Sequence, residues 1–477
     1  MQSTAPPWRA PGVSFGHLRP GFLFTALLGM LMFSAASTLA QPPVLQIDQY
    51  RLPNGLTVIT HEDHSVPVTA VQVMYHVGSK NEKPKRTGFA HLFEHVMFKG
   101  SEHVADGEHF KLLQEIGANI NGSTTEDRTN YFEVVPDNYL ELALYMESDR
   151  MGFLLPALTQ SKLDNQRDVV KNERRQNYDN RPYGTAYEKI VKALFPAGHP
   201  YSWPVIGYMD DLSAASLEDV KEFFRTYYAP NNACLVIVGN FDPKQTKEWV
   251  EKYFGPIPQG KPFERPQVQP VTLREDKRMV FEDKVQLPRL YLNWPSAPMQ
   301  TREDAVLDVL TDILTSGKNS RLYKSLVFDK QIAQSISASE NGSEIGGFVD
   351  IEVTAKPGKS LTEMETAVNE VLADVVNKGV TEKEIQTSLN NKEAQLVRRQ
   401  ATVLGLASAL ATYYTLTGDV QNFNREMDRF KGITPAEVQA AAKKTFGEKK
   451  VVLSIVPQGK ADLAAPGTLM QGKEDAK

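Results

Sequence analysis

Two segments far apart in the chain repeat one pattern, and that repeat restricts it to folds built from two like halves. Residues 217–240 read LEDVKEFFRTYYAPNNACLVIVGN, and residues 435–457 read PAEVQAAAKKTFGEKKVVLSIVP. Each is an amphipathic helix, a turn and a strongly apolar strand. Val220 to Leu235 and Val438 to Leu453 are both steps of 15 residues. Ser216 and Thr434 precede the two helices, where a side-chain oxygen can accept the unpaired amide hydrogens of the first turn.

The openings of the two halves correspond as well. YRLPNGLTVITHEDHSVPVTAVQVMYHVGS, residues 50–79, reads as two strands, with a turn at Asn54-Gly55 and the second strand over 68–77. A helix follows from about Gly88. RMVFEDKVQLPRLYLNWPSAP, residues 278–298, again reads as two strands, followed by the helix TREDAVLDVLTDILTSG. Between the halves, the prolines and glycines of FGPIPQGKPFERPQVQP, residues 254–270, prevent regular structure and suit an extended linker. The expected fold class is α+β. Two homologous domains, 45–253 and 271–460, each carry a mostly antiparallel sheet with packed helices and face each other as a clamshell. A polar tail covers 461–477.

Residues 1–40 combine a basic start (Arg9, Arg19), the apolar run GFLFTALLGMLMFSAAS and small residues ending at Ala40. That is the make-up of a cleaved export signal, and the expected location is the periplasm. No later stretch is apolar enough to span a bilayer, so no stable membrane insertion is expected. A formal charge of −5 with no basic stripe gives no reason to expect nucleic acid. The one cysteine, Cys234, lies in an apolar strand run, so no disulfide framework exists and stability rests on apolar cores.

The chemistry concentrates in GFAHLFEHVMFKG, residues 88–100. On a helix, His91, Glu94 and His95 share one face. Two imidazoles one turn apart can both reach a zinc ion at about 2.0–2.1 Å. Glu94, between them, is placed to take a proton from a water acidified there. The order HxxEH mirrors HExxH. Five residues of this kind can arise by chance on a surface helix. Here the flanks are apolar, and a largely buried helix needs an electrostatic or hydrogen-bonding reason to carry two histidines and a glutamate. A third ligand is expected from the charged helix LDNQRDVVKNERRQNYDNRPYG, residues 163–184, which offers Asp168, Glu173 and Asp179. Val169 and Val170 mark an apolar face with Glu173 one turn beyond, whereas Asp168 and Asp179 suit a solvated surface.

HLFEH at 91–95 followed by RDVVKNERR at 167–175 resembles the M16 family of inverted-motif zinc peptidases, which includes mitochondrial processing peptidase, insulin-degrading enzyme and pitrilysin. Size and duplication are similar to its shorter, processing-peptidase-like branch, and the resemblance spans residues 45–460. It implies one zinc per chain on His91, His95 and Glu173, with Glu94 as general base in an endopeptidase acting on flexible or unfolded peptides. Seven residues before the third ligand the family usually has a supporting glutamate. Gln166 stands there, able to hydrogen-bond but not to bring charge. GANINGSTTEDRTNYFEVV, residues 117–135, is by itself a polar hairpin. It resembles the family's edge strand, which implies that Asn121, Gly122, Ser123 and Thr124 line the cleft and pair with substrate backbone.

The second half departs from this pattern. Setting Gly100 against Gly317 puts Asp308, Thr311 and Asp312 opposite His91, Glu94 and His95, so no second metal triad can form. In active single-chain relatives this half supplies an arginine and, seven residues on, a tyrosine to the scissile carbonyl. The resemblance puts Val327 and Gln334 there, and Arg321 and Tyr323 nearby do not replace the pair. The implied arrangement is a heterodimer with a homologous subunit that lacks the zinc motif and brings the missing donors. A homodimeric or self-sufficient peptidase and a noncatalytic scaffold are the alternatives. No glycine fingerprint follows a strand, which disfavours a dinucleotide enzyme.

Overall fold

The structure, a computed structural model, describes residues 44–470, so the expected export signal and the end of the polar tail lie outside the described residues. The first half runs β1 (Asp48–Arg51), β2 (Thr57–Glu62), β3 (Val68–Tyr75), α1 (Phe89–Val96), α2 (Glu108–Glu115), β4 (Asn119–Thr124), β5 (Thr129–Pro136), α3 (Leu140–Ala157), α4 (Gln160–Arg174), α5 (Ala186–Leu194), α6 (Met209–Ala214), α7 (Leu217–Tyr227), β6 (Ala233–Gly239) and α8 (Pro243–Phe254). No helix or strand lies between Phe254 and Lys277. The second half runs β7 (Lys277–Asp283), β8 (Arg289–Ser296), α9 (Arg302–Thr315), β9 (Ala333–Ser343), β10 (Gly346–Ala355), α10 (Leu361–Lys378), α11 (Glu382–Gln400), α12 (Val403–Thr417), α13 (Pro435–Gly447), β11 (Val451–Pro457) and β12 (Leu469–Met470). No helix among the described residues is long and apolar enough to cross a membrane.

The strand orders are β1-β2-β6-β3-β5-β4 and β12-β7-β11-β8-β10-β9. Replacing β2 to β6 by β7 to β11 turns five adjacent strands of one sheet into five of the other, so the sequence repeat is a repeat of topology. In both sheets the strand that follows the repeated helix pairs parallel on one side and antiparallel on the other. That helix and strand are α7–β6 and α13–β11. Ser216 Oγ accepts from the Asp219 amide at 3.1 Å and Thr434 Oγ1 from the Glu437 amide at 3.2 Å, as cap residues do. The strands at the other edge, β1 and β12, break the symmetry. β1 arises because the chain before Asn54-Gly55 folds back on β2 as a hairpin, which the sequence reading left out.

Each sheet is covered on both faces, and the covering helices are exchanged. On the first sheet, Val58, Val71, Val73, Leu235 and Ile237 pack with residues of α1, α3 and α7. Its other face, carrying Ile59, Ala70, Met74, Cys234 and Val236, packs against Leu406, Ala407, Leu410 and Ala411 of α12, from the second half. On the second sheet, Leu290, Leu292, Trp294 and Val452 pack with α9, α10 and α13. Its other face, with Tyr291, Phe348, Val451 and Leu453, packs against Ala186, Ile190, Val191 and Leu194 of α5, from the first half. Two-sided burial explains why β6 and β11 are apolar at nearly every position rather than alternating. Separating the halves would uncover one apolar face of each sheet.

Candidate metal centre

The short helix α1 starts at Gly88, whose φ of 86° lies in the left-handed region. A Cβ there would stand 2.8 Å from the Ile206 carbonyl oxygen, so only glycine fits. The first amides of α1 are taken by a side chain from outside the helix: Glu82 accepts from Gly88 N at 2.9 Å and from Ala90 N at 2.8 Å. Nothing in the sequence marked Glu82, which lies beyond the reach of a local capping pattern. Phe89, Ala90, Leu92, Phe93 and Val96 are buried and fix the roll of α1. His91, Glu94 and His95 are thereby turned to the opposite, partly open side.

Glu173 lies in the last turn of α4, which Thr159 caps and whose Leu163, Gln166, Val170 and Arg174 are buried. Val169 is exposed, so the apolar stripe runs through Val170 alone and not through both valines. Arg174 pins the end of α4 by donating to the Gly207 carbonyl at 2.8 Å and to Glu188 at 2.7 Å. The chain then widens into a π-helical turn over Arg175–Asp179, a distortion that frequently accompanies functional sites.

His91 Nε2 and His95 Nε2 are 3.3 Å apart. Glu173 Oε2 lies 3.2 Å from the latter and 3.6 Å from the former. Four-coordinate zinc with bonds of about 2.0–2.1 Å requires ligand atoms about 3.3–3.4 Å from one another, so this triangle has the right edge length and donor set. Burial, with His95 beside it, pushes the His91 imidazole down to about 4, which leaves it neutral with a free nitrogen lone pair. Among the described residues this is the one group of three suited to hold a metal ion. Asp168 is exposed and Asp179 faces Arg174 at 3.5 Å, so neither joins it. Gln166 is buried but donates to Asn165 at 2.7 Å instead of bonding to one of the three.

Glu94 faces a cavity of about 380 Å³ that His91, Ser123, Thr124, Tyr178 and Tyr187 also line. Thr124 Oγ1 donates to Glu94 Oε2 at 2.7 Å. Burial raises the Glu94 pKa above the ordinary carboxylate value. β4 is the edge strand of its sheet and passes close by: a Cβ on Gly122 would come within 3.1 Å of Glu94 Cγ. The structure thus brings Gly122, Ser123 and Thr124 to Glu94, while Asn121 is exposed and accepts from the Gly122 amide. Arg128 was not expected. It donates to Ser123 O at 2.9 Å, Ser123 Oγ at 2.6 Å and Asn130 at 2.9 Å, holding the turn end of β4 in place.

In the second half, α9 and α11 occupy the places of α1 and α4. Asp308 and Asp312, opposite His91 and His95, both lie 3.1 Å from Lys392 Nζ on α11. An ammonium therefore bridges two carboxylates where the first half gathers two imidazoles and a carboxylate. Substituting Lys392→Met should cost about 2 kcal/mol of stability, between the values for an exposed and a buried pair because Asp308 is partly exposed. Denaturant titration would measure it. Metal content should not change, and a loss of metal would contradict a purely local role. Val327 packs on the second core, and Gln334 is exposed at the start of β9, so these two positions hold neither a guanidinium nor a phenol. Arg321 is held by Glu384 at 2.8 and 2.9 Å, with Asp374 at 3.5 Å.

Residues 57–202 match the sequence model described as "Insulinase (Peptidase family M16)", and residues 214–392 match "Peptidase M16 inactive domain". The chain is 27% identical over 437 residues to the zinc protease PqqE of Helicobacter pylori, spanning 89% of this chain and 97% of that one. It is 23% identical to the uncharacterized zinc protease YmxG of Bacillus subtilis, spanning 87% and 99%. A crystal structure of a protease from Helicobacter pylori superposes with a TM-score of 0.81 at 25% identity, covering 87% of this chain and all of that one. The periplasmic protease PqqL of Escherichia coli shares the fold at a TM-score of 0.72 and 18% identity. The match covers 90% of this chain but 49% of PqqL.

Proposed function

The chain belongs to the M16 peptidase family, and from that premise we propose that it is an exported, zinc-dependent endopeptidase for flexible or unfolded peptides, with Glu94 as general base. The observation that carries this reading is the convergence of His91, His95 and Glu173 on one point beside a carboxylate that is hydrogen-bonded to an open sheet edge. Zinc, when bound, supplies the Lewis acidity that activates water and polarises the scissile carbonyl. Glu94 takes a proton from the attacking water and delivers it to the leaving amine as the C–N bond breaks. Thr124 fixes one carboxylate oxygen and thereby aims the other. β4 offers backbone groups to an extended peptide, which tolerates many side chains. The small side chains at Gly122 and Ser123 leave room for that approach.

A homologous subunit completes the site in this reading. Val327 and Gln334 cannot supply the guanidinium and phenol hydroxyl that would hold charge developing on the substrate oxygen, and Arg321 is committed to Glu384. PqqL, of which this chain matches 49%, carries the length of a second such unit on the same chain. That supports pairing of two units as the working form.

Metal analysis should find one zinc per chain. His91→Ala, His95→Ala and Glu173→Ala should each reduce it well below that, while Asp168→Ala and Asp179→Ala should not. Retention of full zinc in the Glu173 variant would remove that residue from the ligand set.

A further inference from the structure

The cavity beside Glu173 continues onto the sheet of the second half, and its far wall holds a carboxyl group with no partner among the described residues. It encloses about 670 Å³ and runs from Glu173 and Tyr178 to Asp350 and Glu352 on β10. Tyr183, Tyr187, Tyr291 and Phe348 line the way. Glu352 is paired with Arg289 at 2.9 Å, and the Arg289 guanidinium also lies 3.8 Å from the centre of the Tyr183 ring. The remaining cation, Arg181, is exposed at the rim. Asp350 differs from all of these. Its Oδ1 is buried without a partner. Asn293, opposite it on β8, is buried with neither amide atom engaged. Burial, with Glu352 nearby, raises the Asp350 carboxyl to about 7.

An unpaired buried carboxylate weakens a fold, whereas aromatic faces attract cations and accept an aliphatic stem. A lysine or arginine side chain satisfies both features at once. We propose that this cavity is a substrate subsite for a long cationic side chain of the peptide, with Asp350 as its charge partner. The proposal rests on the peptidase reading above and gives the metal-free half a part in substrate selection.

The test uses zinc-loaded Glu94→Gln chain, which should hold peptide without cleaving it. The probes are disordered, otherwise uncharged peptides, acetylated and amidated at their ends, with one lysine at successive positions. Norleucine replaces lysine in the controls. Fluorescence anisotropy should show one lysine position binding about tenfold more tightly than its norleucine control or better. Adding Asp350→Asn should erase that gain and leave norleucine binding unchanged. The fold of the variant is checked by its melting temperature at pH 8. Because the folded-state pKa is raised, the ionised form is disfavoured there, and asparagine should not lower the melting temperature. Equal binding of lysine and norleucine peptides, or a preference that survives Asp350→Asn, would overturn the subsite while leaving the peptidase reading intact. A gain from a free amino terminus instead of lysine would overturn the side-chain assignment. Failure of every peptide to bind would overturn the subsite, and failure of the wild-type chain mixed with a homologous subunit to hydrolyse any of the same peptides would overturn the peptidase reading.

Discussion

Glu94→Gln should leave zinc at one per chain and lower peptide hydrolysis by about 10²–10⁴-fold, the range that a positioned general base contributes. The amide keeps the volume of the carboxylate and can still take the Thr124 hydroxyl hydrogen bond, 2.7 Å long in the native chain. It cannot accept a proton. Because Glu94 is not one of the three converging side chains, metal content and turnover should separate cleanly. Turnover is to be measured on a quenched-fluorescence peptide, and zinc on the same sample. Wild-type turnover at full zinc occupancy would remove Glu94 as base. Loss of zinc would mean that the glutamate supports the metal and that the division between ligand and base is wrong. Glu94→Asp is the informative companion, since it keeps the charge but withdraws the carboxylate from Thr124 and from the Gly122 edge.

How far the sequence could lead differs between the parts of this site. His91, Glu94 and His95 were legible because a helix puts i, i+3 and i+4 on one face, a local rule. The duplication was legible because the 15-residue interval and two cap residues repeat, and capping is local as well. Glu173 could be favoured but not separated from Asp168 and Asp179 by spacing, since the choice depends on how α4 rolls against α1. Glu82 and Arg128 went unseen for a related reason. Glu82 reaches back over a loop to the amides of α1, and Arg128 bonds across the turn of its own hairpin, and neither contact follows a capping or periodicity rule that can be read from residue spacing. The exchange of α5 and α12 was equally hidden, because an amphipathic helix states that it needs a partner face and not which sheet provides it. Lys392 completes this pattern. The aspartates opposite the two histidines could be read from the repeat, but the ammonium between them comes from a helix with no sequence mark.

The isolated chain should hydrolyse peptides weakly, and adding a homologous subunit that carries the arginine–tyrosine pair should raise the rate by about 10²–10³-fold or more, since one oxyanion donor is typically worth that much. The lone chain leaves a developing charge unmet. Water activated beside Glu94 attacks the carbonyl, and negative charge then grows on the substrate oxygen. At the positions where the family resemblance places those donors, this chain has an aliphatic side chain packed on its second core and an exposed amide. Arg321, the nearest alternative, would have to give up two hydrogen bonds to Glu384, which holds a carboxyl pKa depressed to about 2 largely through that pairing. Charge-assisted bidentate pairs are among the stronger polar contacts, so Arg321 is not a free donor. Two experiments bear on the point. Val327→Arg with Gln334→Tyr should partly restore turnover to the lone chain. Because Val327 is partly buried, that variant can also fail to fold, so mixing wild-type chain with a homologous subunit provides the independent measurement. Glu94→Gln in this chain should abolish the activity of the mixture, which assigns the chemistry to this subunit. Full activity from a rigorously purified, monomeric wild-type chain would defeat the partner requirement, and it would place the missing donor within residues that the chain already holds around the Glu94 cavity.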